Sequence, residues 1–140
     1  WNQPDATDAA IMNGFFHTGD GGSIGDGHVL TISDRKKDVI ISGGENVSSI
    51  EVEDALFSHP DVTEVAVIGI PDEDKGNLIH AIVEADVSAL SEEELKSFLG
   101  DRLVVYKIPR TYEFVDFALR DDAGKVRRSA LRAERLGNAQ

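Results

Sequence analysis

The sequence predicts an α+β fold, or a small α/β sandwich, from three observations. Short β-branched apolar runs recur along the chain, at Val39-Ile40-Ile41, at Val62 to Ile70 and at Leu78 to Ala85. Two Ser-x-x-Glu patterns, Ser48-Ser49-Ile50-Glu51 and Ser91-Glu92-Glu93-Glu94, each precede apolar residues at helical spacing. Read in order, the elements run two strands, helix, two strands, helix, strand, helix, which lays about three helices on a short sheet.

Residues 1–13 carry little pattern and read as loop. Gly19-Asp20-Gly21-Gly22-Ser23-Ile24-Gly25-Asp26-Gly27 has the composition of tight turns. His28 to Ser33 reads as a strand, with Val29, Leu30 and Ile32 among short polar residues, and Val39-Ile40-Ile41 as a second, ended by Gly43-Gly44. The first capping box opens a helix that puts Val52, Ala55 and Leu56 on one face, and His59-Pro60 closes it because proline disfavours helix in the residue before it. Val65, Ala66, Val67 and Ile68 in succession mark a strand covered on both faces, with Leu78 to Ala85 beside it. The second capping box places acidic residues where the helix dipole favours them, and its helix aligns Leu95, Phe98, Leu99 and Leu103. Lys107-Ile108-Pro109-Arg110 connects to an alternating edge strand, Tyr112 to Phe117. Residues 126–136 form a basic helix bearing Val126, Ala130 and Leu131.

A chain of 140 residues, 41% hydrophobic and 29% charged, can bury a real core. It begins at Trp1 without a basic-then-apolar leader, and no apolar run approaches the roughly 20 residues that span a bilayer. We therefore expect a soluble piece of a longer chain. With no cysteine there is no disulfide framework and no thiolate chemistry, and a reducing cytoplasm is the simplest setting. A net charge of −12 argues against nonspecific binding to nucleic acid or an anionic membrane. Basic residues still gather at Arg35-Lys36-Lys37, at Lys107 and Arg110, and at Lys125, Arg127, Arg128, Arg132 and Arg135, which suits a small anionic ligand such as a nucleotide phosphate. Four histidines (17, 28, 59, 80) have no metal-like spacing, so no metal site is expected, and His80 in its apolar strand reads as structural. Glu51, Glu53, Glu92 and Glu94 read as caps and solvated faces.

Individually the motifs are ambiguous. In Thr18-Gly19-Asp20 the ionised carboxylate can accept from two vicinal ribose hydroxyls, although Gly-Asp also makes ordinary turns. Gly19 to Gly27 could coordinate calcium, but it lacks the regular ligands and closing Glu of an EF-hand. No Gly-Lys-Ser/Thr follows to make a Walker loop. Asp34-Arg35-Lys36-Lys37-Asp38 is by itself a charged turn, Gly43-Gly44 a plain turn, and Gly124-Lys125 a common dipeptide.

Together, in this order, these segments resemble the end of an adenylate-forming enzyme of the acyl-CoA synthetase (fatty-acid–CoA ligase) family. The resemblance rests on Thr18-Gly19-Asp20, Asp34 to Asp38, Ser42-Gly43-Gly44-Glu45-Asn46 and, about ninety residues beyond Arg35, Gly124-Lys125. It implies that residues 1–33 are the tail of a large N-terminal AMP-binding domain, 34–37 a hinge and 38–140 the small C-terminal domain. It implies that Asp20 and Arg35 bind the nucleotide and that Lys37 is the hinge residue. Gly43, Gly44 and Glu45 then approach CoA, with glycine letting backbone pass close to the pantetheine arm. Lys125 becomes the catalytic lysine of adenylation, its ammonium stabilising charge at the α-phosphate. The substrates implied are a carboxylic acid, ATP with Mg2+, and CoA. The missing N-terminal domain is the implied partner, and the fragment alone is expected to be inactive. The chain departs from the family where a proline and a hydroxyl residue usually precede Gly-Lys, since it has Asp121-Asp122-Ala123. Two alternatives stay open: a noncatalytic nucleotide- or partner-binding module, and an adenylate-forming enzyme that loads a carrier protein.

Overall fold

A computed structural model describes residues 2–86, 88 and 90–137. The chain divides into two compact units, residues 1–37 and 38–140, each with its own secondary structure.

In the first unit, helix α1 (Pro4–Ala10) replaces the expected loop. Pro4 pre-sets the first helical turn, Asp5 faces the positive end of the dipole, and the alanines are strong helix formers. The segment lacks apolar periodicity, which is why it reads as structureless. Strands β1 (Ile11–Met12) and β2 (Phe15–Phe16) then form a two-residue hairpin over Asn13 and Gly14. Both turn residues have positive φ, 53° and 80°, as an Asn-Gly turn of the primed type requires.

The Gly/Asp-rich segment is turn only towards its end, where Asp26–His28 form a 3₁₀ turn. Asp20–Ile24 is strand β3, antiparallel to β4 (Leu30–Arg35). Its glycines serve a bulge between Gly21 and Gly22, where a Cβ on Gly22 would meet the Thr31 carbonyl oxygen at 2.5 Å. His28 does not start a strand; with φ of 62° it ends a 3₁₀ turn, and β4 begins two residues later.

The second unit is built on a three-stranded sheet. Strand β5 (Ile40–Ser42) and β6 (Glu45–Val47) form a separate hairpin ahead of it. Helix α2 (Ser49–Phe57) follows, then β7 (Val62–Asp72) and β8 (Gly76–Ala85), antiparallel to each other. Helix α3 (Glu92–Gly100) carries the chain over to β9 (Thr111–Val115), which runs parallel to β8 at the sheet edge. Helix α4 (Arg128–Gly137) closes the unit. The expected three helices on a short sheet are these, and the architecture is α+β.

Strand alternation explains the continuous apolar run in β7. Val65 and Val67 join Ile79, Ala81 and Val83 against Val52, Leu56, Leu95 and Leu99 of the first two helices. Ala66 and Ile68 point the other way, packing with Ile82, Val115, Leu119 and Leu131 of α4. A sheet covered on both faces needs apolar residues at consecutive positions. Ala55, Phe98 and Leu103 pack against the first cluster and Val126 against the second, whereas Ala130 is exposed.

The two helix starts fall where the capping patterns put them. Ser48 Oγ accepts from the Glu51 N–H at 3.2 Å, and Ser91 Oγ from the Glu94 N–H at 3.2 Å. The reciprocal half of the first box is not made by Glu51. Its carboxylate takes the Lys107 ammonium at 2.6 and 2.7 Å instead.

Candidate functional site

The functional residues named from the sequence fall in three places. Asp20 and Arg35 are direct cross-strand partners in the β3–β4 ladder, and Arg35 Nε lies 3.2 Å from Asp20 Oδ1. The turn before them is held locally: the Asp20 N–H donates to Thr18 Oγ1 at 3.1 Å, and the Lys36 N–H to the Gly19 carbonyl at 2.8 Å. Gly19 has φ of 78°, so the Thr-Gly-Asp turn needs its glycine. Thr18, Gly19, Arg35, Lys36 and Lys37 line a shallow cavity of about 320 Å³. A guanidinium, two ammonium stems and a hydroxyl around one depression can receive a phosphate or a ribose. Lys37 lies in the turn between β4 and β5 with its side chain exposed.

Gly43 and Gly44 are the two turn residues of the β5–β6 hairpin, since Ser42 pairs with Glu45. Both have positive φ, 59° and 85°, so the hairpin alone accounts for two glycines. The Gly43 N–H donates to the Lys75 carbonyl at 2.9 Å, which seats the hairpin against the β7–β8 turn. Beside it a pocket of about 100 Å³ is lined by Ser42, Gly43, Glu45, Lys75, Tyr106 and Arg110, with Ile79 at its base. Gly44 projects into open space. Lys75 and Tyr106 were missed in the sequence. Lys75 sits in an acidic turn, Asp72-Glu73-Asp74, whose charges mask it, and only its closeness to Gly43 in space brings it forward.

Lys125 lies on the loop between β9 and α4 and does not line that pocket. Its side chain is exposed, and among the described residues its ammonium has no carboxylate partner. Of the two aspartates just before it, Asp121 is otherwise engaged. Asp121 Oδ1 accepts from the main-chain N–H of Ala123 and of Lys125, both at 3.0 Å, and Oδ2 from Arg127 Nε at 2.9 Å. Those contacts hold the Asp121 carboxyl below its usual range, the Lys125 N–H contributing most. Asp121 thus builds the turn from which Lys125 projects. Gly124, at φ of 71°, supplies its left-handed corner, and a bridge between Arg120 and Val126 closes it.

Two Arg–Glu pairs flank this loop. Before it, Arg120 pairs with Glu64 of β7 and donates to the Gly124 carbonyl at 2.9 Å. After it, Arg128 forks onto Glu53 of α2, with Nε 3.0 Å from Oε1. Glu53 is not a solvated helix residue. Its Oε1 also accepts the Val67 N–H at 2.8 Å, and burial pushes its carboxyl up from the usual 4.5 against the pull of Arg128 and Val67. Its role depends on Arg128, 75 residues away, and helix periodicity carries no trace of such a partner.

On the other sheet face, His80 Nδ1 is 2.8 Å from Thr111 Oγ1, and Glu113 receives a two-pronged contact from Arg135 at 2.7 and 2.8 Å. Burial holds the His80 imidazole below its ordinary value. This cluster joins β8, β9 and α4 and is structural. Among the described residues no group of three or more His, Asp or Glu could hold a metal ion. Among those residues, too, no helix is long and apolar enough to cross a membrane.

A model of the AMP-binding enzyme C-terminal domain matches residues 51–125, more than half of the chain and ending on Lys125. The chain belongs to that family, the C-terminal domain of adenylate-forming enzymes. The long-chain-fatty-acid–CoA ligase FadD13 of Mycobacterium tuberculosis is 46% identical over 134 residues, spanning 96% of this chain and 27% of that protein. A fatty acid–[acyl-carrier-protein] ligase, ScoC of Streptomyces coeruleorubidus, is 39% identical over 140 residues, spanning 99% of this chain and 27% of that one. The crystal structure of ATP-bound MatB from Rhodopseudomonas palustris superposes with a TM-score of 0.89 at 34% identity, covering all of this chain and 28% of the other. The chain therefore spans about a quarter of the length of the proteins it resembles.

Proposed function

We propose that this chain is the C-terminal portion of an ATP-dependent acid–CoA ligase. The observation that carries the reading is the 46% identity over 134 residues to an enzyme named as a long-chain-fatty-acid–CoA ligase. In the first half-reaction a carboxylate attacks the α-phosphate of ATP, giving an acyl-adenylate and pyrophosphate. In the second the CoA thiol takes the acyl group and AMP leaves. Residues 1–33 end the large AMP-binding domain, 34–37 form the hinge and 38–140 the small domain.

Asp20 and Arg35 hold the ribose and phosphate of the nucleotide. The exposed Lys125 ammonium reaches the α-phosphate, where fixed positive charge lowers the barrier most. Gly43, Gly44 and Glu45 border the pantetheine arm, with Lys75 and Arg110 beside them. Mg2+ accompanies ATP, and no residue of this chain is assigned to it. The chain by itself is inactive because the phosphate loop and acyl pocket lie in the missing domain. A reducing cytoplasm fits its lack of cysteine.

The test is pyrophosphate release by the full-length protein with a panel of carboxylic acids, wild type against Lys125→Ala. Acid-dependent release that collapses in the variant supports the reading; release by the isolated chain, or none with any acid, contradicts it. A second reading, transfer to a carrier protein, is favoured by the 39% identity to the acyl-carrier-protein ligase. Offering CoA and a phosphopantetheinyl carrier protein in parallel separates the two.

A further inference from the structure

Arg128 is placed unlike the other arginines of the basic C-terminal region. It is the first residue of α4, three positions after Lys125. Its side chain is 22% exposed, and it faces two carboxylates on two other elements, Glu53 at 13% and Asp38 at 17%. The guanidinium spends two of its arms on Glu53 and points a third, Nη1, at Asp38 Oδ2, 3.7 Å away. Glu53 is fixed in turn by the Val67 N–H of the central strand. Asp38 is the first residue of the second unit, directly after Lys37. One partly buried planar cation therefore ties together the root of the Lys125 loop, the body of the sheet and the residue adjoining the expected hinge.

The flanking Arg120 also forks onto a carboxylate, Glu64 of β7, and bonds the Gly124 carbonyl within the loop, but it is 52% exposed, so water weakens its grip, and it does not reach the hinge-side residue. A forked guanidinium between partly buried carboxylates sets direction as well as distance, which a lysine cannot reproduce.

We propose that Arg128 is a positioning residue for Lys125, setting the lysine loop in register with the hinge-side residue Asp38 through the partly buried Glu53. The inference rests on the reading of Lys125 as the adenylation lysine. Arg128 touches no substrate. It acts by removing freedom from the loop, and small misplacements of a charged group cost much in the step that group serves.

The experiment uses the full-length protein with hexadecanoate, ATP and CoA. Adenylation is followed as pyrophosphate release in a single turnover. Thioester formation is followed separately from supplied hexadecanoyl-adenylate. Arg128→Lys keeps the charge and loses the fork. It is expected to slow adenylation by about 10- to 100-fold, with KM for ATP and the thioester step each within about twofold of wild type. Arg128→Lys combined with Lys125→Ala is expected to be no slower in adenylation than Lys125→Ala alone, because a residue acting through another is silent once that other is gone.

Losses that add in the double variant, or that fall equally on both half-reactions, would show a structural role and overturn the proposal. Unimpaired adenylation by Arg128→Lys would overturn it too. If Lys125→Ala itself adenylates normally, the functional reading of Lys125 fails, a result distinct from the others. Asp38→Asn leaves the Arg128–Glu53 fork intact and serves if Arg128→Lys does not fold. It is expected to slow the same step by roughly three- to tenfold, and no change in it would remove Asp38 from the linkage.

Discussion

Lys125 and Glu53 show how differently single charged residues are used in this chain. Lys125 projects from a turn whose polar groups are satisfied without it, so its removal leaves packing untouched. Lys125→Ala in the full-length protein should abolish most adenylation, by about 100-fold or more, while thioester formation from supplied acyl-adenylate continues and the melting temperature holds. Parallel half-reaction assays read this, and equal loss of both would contradict the role. Glu53 is the opposite case. Removing it takes the fork from the partly buried Arg128 guanidinium and orphans the Val67 N–H. Glu53→Ala should therefore cost about 3 kcal/mol or more of stability, measured by urea unfolding of this chain. A value near zero would mean that the pair is solvated after all.

At the scale of elements, helices were legible wherever local chemistry sets them. Ser48 and Ser91 each satisfy an N–H three residues on, and the apolar stripes behind them, Val52–Leu56 and Leu95–Leu99, fill the core. Ser48→Ala should lose about 1 kcal/mol, since an orphaned N–H at a helix start has only water to replace the cap. Equilibrium unfolding of the variant checks this. Deleting the core end of a stripe is harsher. Leu56 is fully buried, and Leu56→Ala should cost about 2–5 kcal/mol by the same measurement, through lost burial and the cavity left behind. The elements that escaped the sequence reading did so for physical reasons. Helix α1 is short, has no buried residue and so shows no apolar period. Strand β3 is rich in glycine because a bulge brings its backbone against Thr31, and that close approach exists only once β4 is paired. Glycine there records a tertiary contact, which looks like turn composition in one dimension.

For the whole molecule, the sequence motifs fall on turns and the strand ends beside them, but their mutual arrangement was not legible. Asp20 and Arg35 are 15 residues apart and become paired through strand register. Gly43 gains Lys75 and Arg110 as neighbours only through the docking of the hairpin on the β7–β8 turn. Lys125 and the Gly43 pocket occupy different loops, so one unit carries both the expected adenylation group and the expected thiol-side surface without bringing them together. That separation is what a two-step enzyme needs if the small domain turns between steps, and the turn at Lys36, Lys37 and Asp38 is where the compact units divide. A hinge works by changing a few backbone dihedrals. Proline at position 37 would lock φ near −65° and also push Lys36 out of helical space, so both freedoms vanish at once. If the locked geometry keeps Lys125 at the nucleotide, Lys37→Pro in the full-length protein should form acyl-adenylate at a rate within about threefold of wild type. CoA-dependent release should then fall by about 100-fold or more, because the second surface never arrives. Burst-phase accumulation of acyl-adenylate without thioester is the signature to look for. Normal CoA-dependent turnover would place the hinge elsewhere in the chain, and loss of adenylation with the thioester step intact would mean that the proline froze the opposite conformation.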